Sequence, residues 1–364
     1  MFELPKYKAP DFEEERFRNA PDAKLAEVTR DGVAPDYYHS TSMYPEYFKV
    51  DGEWVLIANT RMDCVPVLRE DGSIEATEFR RLKKGDRAFL GRTEDGSEGI
   101  YVYGGGFADE SGCSGDVFGF RSGRSRETSF ANDYRRLADL LRHDREDGHI
   151  VWVLGPAAIF DDGSRKAMEY IVNNGYCHVV FGGNAVATHD IEGSMYRTAL
   201  GQHLVTNENM PNGHYNHLDA LNQVQKCGSI KKAVEEGYIK DGLVYSCVKN
   251  HVPMVLAGSL RDDGPMPEVN CDMSDVQDRM REHTCRATTI VCLATQLHTI
   301  ATGNLTPSFV VRGGQVRPVY IYAVDVSEFV LNKIRDRGTL EVTTIVSNIQ
   351  DFLFKLKSLL EEGE

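Results

Sequence analysis

The sequence predicts an α/β protein, with a doubly wound parallel sheet over residues 126–364 preceded by a small antiparallel β domain over residues 1–125. Three observations lead there. Short apolar runs separated by Asp-Gly pairs fill 47–104, compact apolar runs alternating with helical patterns fill the chain after Phe130, and a Gly- and Ser-rich stretch, 103–127, separates the two textures.

In the first domain Asp51-Gly52 divides "YFKV" from "EWVLIA", Asp71-Gly72 divides "CVPVL" from "SIEATEF", and Asp95-Gly96 follows. Asp-Gly suits type I′ turns, whose central residues need positive φ, so these runs read as hairpins. In the second domain "DYRRLADLLRHDRED" has helical spacing. The runs "IVWVLG", "HVVFGG", "PMVLAG", "TTIVCLA" and "PVYIYAVD" are apolar almost throughout, with "VTTIVS" (342–347) a weaker sixth and "IQDFLFKLKSLLEE" a terminal helix. Continuous apolar strands between helices are what a parallel sheet covered on both faces requires, and the arrangement is Rossmann-like.

A formal charge of -14 and a pI near 5.3 argue against a nucleic-acid partner, whose phosphates call for clustered Lys and Arg. No apolar run approaches the roughly 20 residues that span a bilayer, so a soluble, cytoplasmic protein with a small-molecule ligand is expected. The eight cysteines, at 64, 113, 177, 227, 247, 271, 285 and 292, form no C-x-x-C pair and read as reduced thiols.

Ligands of open parallel sheets bind beyond the carboxyl ends of the strands. Here those positions are small or polar: Gly155-Pro156, Gly182-Gly183-Asn184-Ala185, Ala257-Gly258-Ser259, Ala294-Thr295-Gln296 and Asp325. Small residues let backbone approach a ligand, and helix N-termini offer N–H groups to phosphate oxygens. "VVFGGNAVATHD" (179–190) lacks both G-x-G-x-x-G and a P-loop lysine, yet five such turns together point to a dinucleotide. Asp325 lies about 20 residues beyond Gly303, the separation at which an acidic residue takes the ribose hydroxyls and favours NAD; the alternative is a cap for the next helix.

Other residues carry two readings each. Arg261, Asp262 and Asp263 follow a buried strand, where paired carboxylates divide base and orienting roles or simply form an Asp-Gly-Pro turn. Arg61, Asp63 and Cys64 stand at the start of a predicted strand. There a guanidinium would clamp a substrate carboxylate and Asp63 an ammonium, or the two form a surface pair. His214 and His217 are three apart with no third ligand nearby, so no metal is expected. His298, a helical turn past a strand end, either serves a cofactor or proton transfer or is packed in the core.

The stretches "DGVAPDYYHSTSMYP", "VDGEWV", "MDC", "VLGPAA", "GGNAVATHDIE", "GHYNHLDALNQVQKCGSI", "VPMVLAGSLRDDGPMPEV", "LATQLHTIATGN" and "VDVSEFVLNKIRDRG" resemble the NAD-dependent ornithine cyclodeaminase family of archaea. That family also forms the C-terminal part of cyanobacterial bifunctional arginine dihydrolase/ornithine cyclodeaminases. The resemblance runs from about residue 31 to the C-terminus and implies a cofactor domain distantly similar to deoxyhypusine synthase. It implies NAD contacts at Asn184, Ala185, Asp263, Thr295, Gln296, Leu297, His298, Asp325, Asn348 and Ile349. For the substrate, ornithine or a similar amino acid, Asp63, Arg61, Asp262 and Arg261 are the candidates from charge and position. A homo-oligomer is the default for such folds. Two departures, a charge-rich stretch of about 30 residues where the family carries a small α/β module and "FGFRSGRSRETSF" in place of a Ser-rich segment, bear on the substrate more than on the cofactor.

Overall fold

Asp51-Gly52 turns the chain as the sequence requires: φ is 50° at Asp51 and 83° at Gly52, and β2 (Glu46–Val50) pairs antiparallel with β3 (Glu53–Leu56) across them. The structure, a computed structural model, describes residues 4–107, 130–262, 264–336 and 342–362. It divides into two compact units, one of residues 3–128 with 304–319 and one of 129–303 with 320–364.

The first unit begins with α1 (Glu15–Arg18) and β1 (Lys24–Glu27), and continues after β3 with β4 (Val65–Leu68), β5 (Ile74–Thr77), β6 (Arg87–Leu90) and β7 (Ile100–Val102). Two antiparallel sheets result, in orders β1-β6-β4-β5 and β3-β2-β7, with Phe48, Ile57, Phe89 and Ile100 fully buried in the core they share. The Asp71-Gly72 turn departs from type I′, because only Gly72 has positive φ. Arg69 N–H donates to Ser73 O at 2.9 Å, which leaves a three-residue loop with glycine in the left-handed position. Lys49 is buried, and among the described residues its Nζ meets no carboxylate; it donates instead to the carbonyls of Phe17, Arg18 and Ala20, the acceptors that the end of α1 leaves over.

The second unit contains α2 (Ala131–Asp147), β8 (Ile150–Leu154), α3 (Asp162–Asn173), β9 (Val179–Gly183), α4 (Asn184–Tyr196), β10 (Thr198–Ala199), β11 (Gln202–His203), α5 (Asn216–Cys227), α6 (Ile230–Glu235), α7 (Gly242–Lys249), β12 (Met254–Ala257), α8 (Met273–Thr284), β13 (Thr289–Leu293) and α9 (Gln296–Leu305). Residues 304–319 then join the first unit as the hairpin β14 (Phe309–Arg312) and β15 (Gln315–Pro318), before β16 (Tyr320–Asp325), α10 (Glu328–Asp336), β17 (Val342–Val346) and α11 (Ile349–Glu361) complete the second. A reading by apolar runs keeps 304–319 with the second domain. The signal it passes over is Gly313-Gly314, both at positive φ, which makes a two-residue turn.

All six runs expected to form the sheet do so. The order is β12-β9-β8-β13-β16-β17, every pair parallel, which in sequence order is 3-2-1-4-5-6. The order reverses between β8 and β13, the point where a doubly wound sheet opens a crevice for a ligand. β8 and β13 are buried at every residue, as strands covered on both faces must be.

α4 is unusual in being buried all round, from Val186 to Gly193. Its polar residues therefore need partners inside the protein. Asp190 takes Arg165 Nε of α3 at 3.0 Å and the Val244 N–H of α7 at 2.8 Å, while Arg165 Nη2 reaches Asp241 at 2.8 Å. The arginine is raised further above its already high value: burial works against the charge, and Asp190 and Asp241 more than restore it.

Candidate functional site

At the reversal point, Gly155 after β8 and Ala294 after β13 approach so closely that a Cβ on Gly155 would stand 2.0 Å from the Ala294 carbonyl oxygen. Gly155 N–H donates to Leu293 O at 2.7 Å, and Ala294 adopts φ 49° while its N–H donates to Val324 O of β16. Glycine is required at 155 for space, since its φ of -87° is open to any residue. The sequence thus removes side chains where the crevice begins.

The next strand end is similarly bare. Gly183 directly precedes α4, and a Cβ there would meet only Ala257 O of β12 and His298 Cε1 of α9, both at 3.7 Å. Three elements therefore meet around Gly183. Asn184 opens α4, and its Oδ1 accepts from Met266 N at 3.1 Å, which ties the turn to the loop after β12; Ala185 follows in the first turn. Thr295 precedes α9 with its Oγ1 3.4 Å from His298 Nδ1. Gln296 is half-buried, Leu297 is exposed, and burial lowers the His298 pKa, favouring the neutral ring.

Asp325 ends β16 half-buried. Its Oδ1 accepts from Ser327 N at 2.8 Å, a turn-forming bond of the kind the capping alternative foresees, and among the described residues no hydrogen bond reaches Oδ2. Asn348 caps α11, its Oδ1 accepting from Gln350 N and Asp351 N, while Ile349 is buried. Both stand at the carboxyl end of β17. Asn348 also borders a cavity of about 650 Å³ with Phe160, Asp162, Leu200 and Gln350.

After β12 the chain turns at Ser259: Asp262 Oδ2 accepts Ser259 N at 2.7 Å, Arg261 N donates to Ser259 Oγ at 3.2 Å, and the Arg261 side chain is exposed. Asp262 thus serves the turn with one oxygen. Asp263 lies outside the described residues. In the first unit, Arg61, Met62 and Asp63 form a turn before β4 rather than its start, with Asp63 at φ 62° and exposed. The Arg61 guanidinium pairs with Glu78, a partner 17 residues away that local reading does not suggest. A substrate carboxylate at Arg61 would share that guanidinium with Glu78.

Among the described residues no group of three or more His, Cys, Asp or Glu that could hold a metal ion brings in His214 or His217. Among the described residues no disulfide joins two cysteines; Cys113 lies outside the described residues, as does the segment 118–129. Among the described residues no helix is long and apolar enough to cross a membrane.

Residues 135–356 match the family described as Arginine dihydrolase ArgZ-like, C-terminal, Rossmann fold. The ornithine cyclodeaminase of Methanopyrus kandleri is 38% identical over 92% of this chain and 77% of its own length. The chain belongs to the ornithine cyclodeaminase family. Among solved structures of this family, a conserved LOR/SDH protein from Methanococcus maripaludis superimposes with a TM-score of 0.85 at 36% identity, covering 94% of this chain and 99% of that one. The ternary complex of AgrE with ornithine and NAD+ superimposes with a TM-score of 0.60 at 32% identity, covering 94% of this chain but 46% of AgrE. The Rossmann-like sheet expected from the apolar runs is thus the family's fold.

Proposed function

We propose that this enzyme converts ornithine to proline and ammonia, using NAD. Family membership supports the reaction, and the bare crevice at Gly155 and Ala294 supports the cofactor. The fit rests on side chains that are missing where a dinucleotide needs room, on the N-terminus of α4 beside Gly183, and on Asp325 with Oδ2 available to a ribose hydroxyl. When bound, NAD would supply a reversible hydride acceptor, so that the conversion involves no net oxidation.

The residues that would hold the cofactor are Asn184 and Ala185 at α4, Asp263 after β12, Thr295, Gln296, Leu297 and His298 at α9, Asp325, and Asn348 with Ile349. A carboxylate at 325 would repel a 2′-phosphate and so favours NAD over NADP. For an amino acid with two ammonium groups and one carboxylate, Asp63 and Asp262 are the proposed ammonium acceptors, and Arg261 with Arg61 the carboxylate partners. Ring closure is intramolecular, so a pocket that folds the substrate so that its δ-nitrogen faces Cα gains a large effective molarity.

The test is incubation with ornithine and NAD+, followed by mass analysis for proline, ammonia and NADH. Equimolar proline and ammonia without net NADH is the expected result. Accumulating NADH would point instead to a dehydrogenase acting on an amino acid or opine-like compound, and no turnover of ornithine would overturn the proposal.

A further inference from the structure

In the first unit, segments 37–39 and 89–91 run antiparallel through an isolated pairing of Tyr38 with Leu90. His39 N–H donates to Phe89 O at 2.9 Å, and Gly91 N–H donates to Tyr37 O at 3.0 Å. Beside them opens a cavity of about 160 Å³, lined by Tyr38, His39, Ser40, Gly91, Arg92 and Glu94. All six residues belong to the first unit, and the cofactor reading uses none of them.

The inner wall is fixed by a buried pair. His39 Nε2 lies 3.2 Å from Glu46 Oε2, the two side chains are 2% and 0% exposed, and the same carboxylate accepts Ser42 N–H. With Nε2 engaged in this way, Nδ1 is the ring nitrogen that no hydrogen bond among the described residues reaches.

The outer wall carries two charges. Glu98 holds the backbone there, accepting Arg92 N at 3.0 Å, Thr93 N at 3.1 Å and Thr93 Oγ1 at 2.7 Å. The Arg92 guanidinium itself stands over the rings of Tyr37 and Tyr38, 5.5 and 5.8 Å from their centroids. Rings hold a guanidinium by its flat face and leave its N–H edge to an acceptor. Among the described residues no carboxylate pairs with Arg92, no cation pairs with Glu94, and the two do not pair with each other. Opposite charges thus border one cavity without neutralising one another. A simple anion there would meet Glu94 as a like charge, and a simple cation would meet Arg92. A ligand that carries both signs satisfies both.

We propose that this cavity binds a small α-amino acid as its zwitterion, the carboxylate on Arg92 and the ammonium on Glu94. Pockets for drug-sized ligands measure about 300–1,000 Å³, so this one takes a smaller molecule. The lining offers no second carboxylate for a side-chain ammonium, which favours an amino acid of no net charge over ornithine. The assignment rests on these charges and not on the cyclodeaminase reading.

Calorimetric titration of the full chain with proline, prolinamide, N-acetylproline and ornithine tests it, on the wild type, Arg92→Gln and Glu94→Gln, with Tm measured for each. Proline should bind about tenfold more weakly to each variant, the lower end for a charged hydrogen bond because both side chains are exposed. Prolinamide lacks the carboxylate and should be indifferent to Arg92→Gln. N-acetylproline lacks the ammonium and should be indifferent to Glu94→Gln. Glu94→Gln removes no side-chain contact of the fold, so its Tm should hold, and it decides the matter if Arg92→Gln loses stability. Proline that does not bind the wild type, or that binds wild type and Glu94→Gln alike, overturns the proposal. Ornithine held more tightly than proline by the same two residues overturns the preference for a ligand of no net charge. Binding is read without turnover, so the cyclodeaminase reading stands or falls separately.

Discussion

Gly155→Ala adds one methyl group at the point where the sheet changes direction. That carbon would lie 2.0 Å from Ala294 O, 2.7 Å from Ala294 C and 3.2 Å from Leu293 O, all backbone atoms that no rotamer change can move. Since real Cβ contacts essentially never fall below 3.0 Å, the ends of β8 and β13 must part by about 1 Å. Overpacking of this kind costs about 1–3 kcal/mol, and losing the bond from Gly155 N to Leu293 O adds about 1 kcal/mol. The sum, about 2–4 kcal/mol, lowers Tm by roughly 5–15 °C for a unit of this size. A 1 Å displacement at the site also lowers turnover by about 10²-fold. Calorimetry and a steady-state assay of ornithine conversion by the variant check both figures, and NAD+ titration reads whether the crevice still binds. Gly183→Ala is the control: its φ is -102° and its Cβ makes only ordinary contacts, so Tm should hold while a ligand lying against that turn binds more weakly. A Gly155→Ala protein with wild-type Tm and NAD+ affinity would refute the argument that the two strand ends are held at this spacing.

Three further outcomes are expected. Asp325→Ser should weaken NAD+ binding by about 10- to 100-fold, the worth of a charged hydrogen bond, and narrow the preference over NADP+, as fluorescence titration with both would read. Arg165→Met should cost about 3–5 kcal/mol in denaturant unfolding, because it strands the buried Asp190 carboxylate beside an apolar side chain. Because burial lowers the His298 pKa, the unfolded chain binds a proton more readily than the folded one. Stability should therefore fall as pH drops below the ordinary histidine value of about 6.5, until the folded pKa is passed. His298→Gln should flatten the dependence of unfolding free energy on pH in that window, and an unchanged slope would contradict the assignment.

The strands and the Asp51-Gly52 hairpin were legible because their causes are local: apolar continuity, and glycine or aspartate where φ is positive. The small residues after each strand were legible for the same reason. The pairing of charges was not. Glu78 answers Arg61 from 17 residues away, and Arg165 joins Asp190 and Asp241 across 25 and 76 residues, separations at which no periodicity operates. Residues 188–192, "THDIE", lie in a helix that the structure buries on every side, which leaves their polar groups to pair inside. The sheet order lies beyond periodicity too, although once known it makes five separate turns into a single edge.

The excursion of residues 304–319 bears on how the chain folds. Ser308 N–H donates to Met43 O at 3.2 Å, so the first unit contains contacts between positions 265 residues apart. Neither unit is one continuous stretch of sequence. During synthesis, the strands of the first unit emerge early but cannot receive the β14–β15 hairpin until β8, β9, β12 and β13 have all left the ribosome. A protein of such high contact order is expected to fold slowly. A fragment ending near residue 125 would lack part of its own unit, and the two units are better regarded as interleaved folding partners than as modules to be exchanged separately.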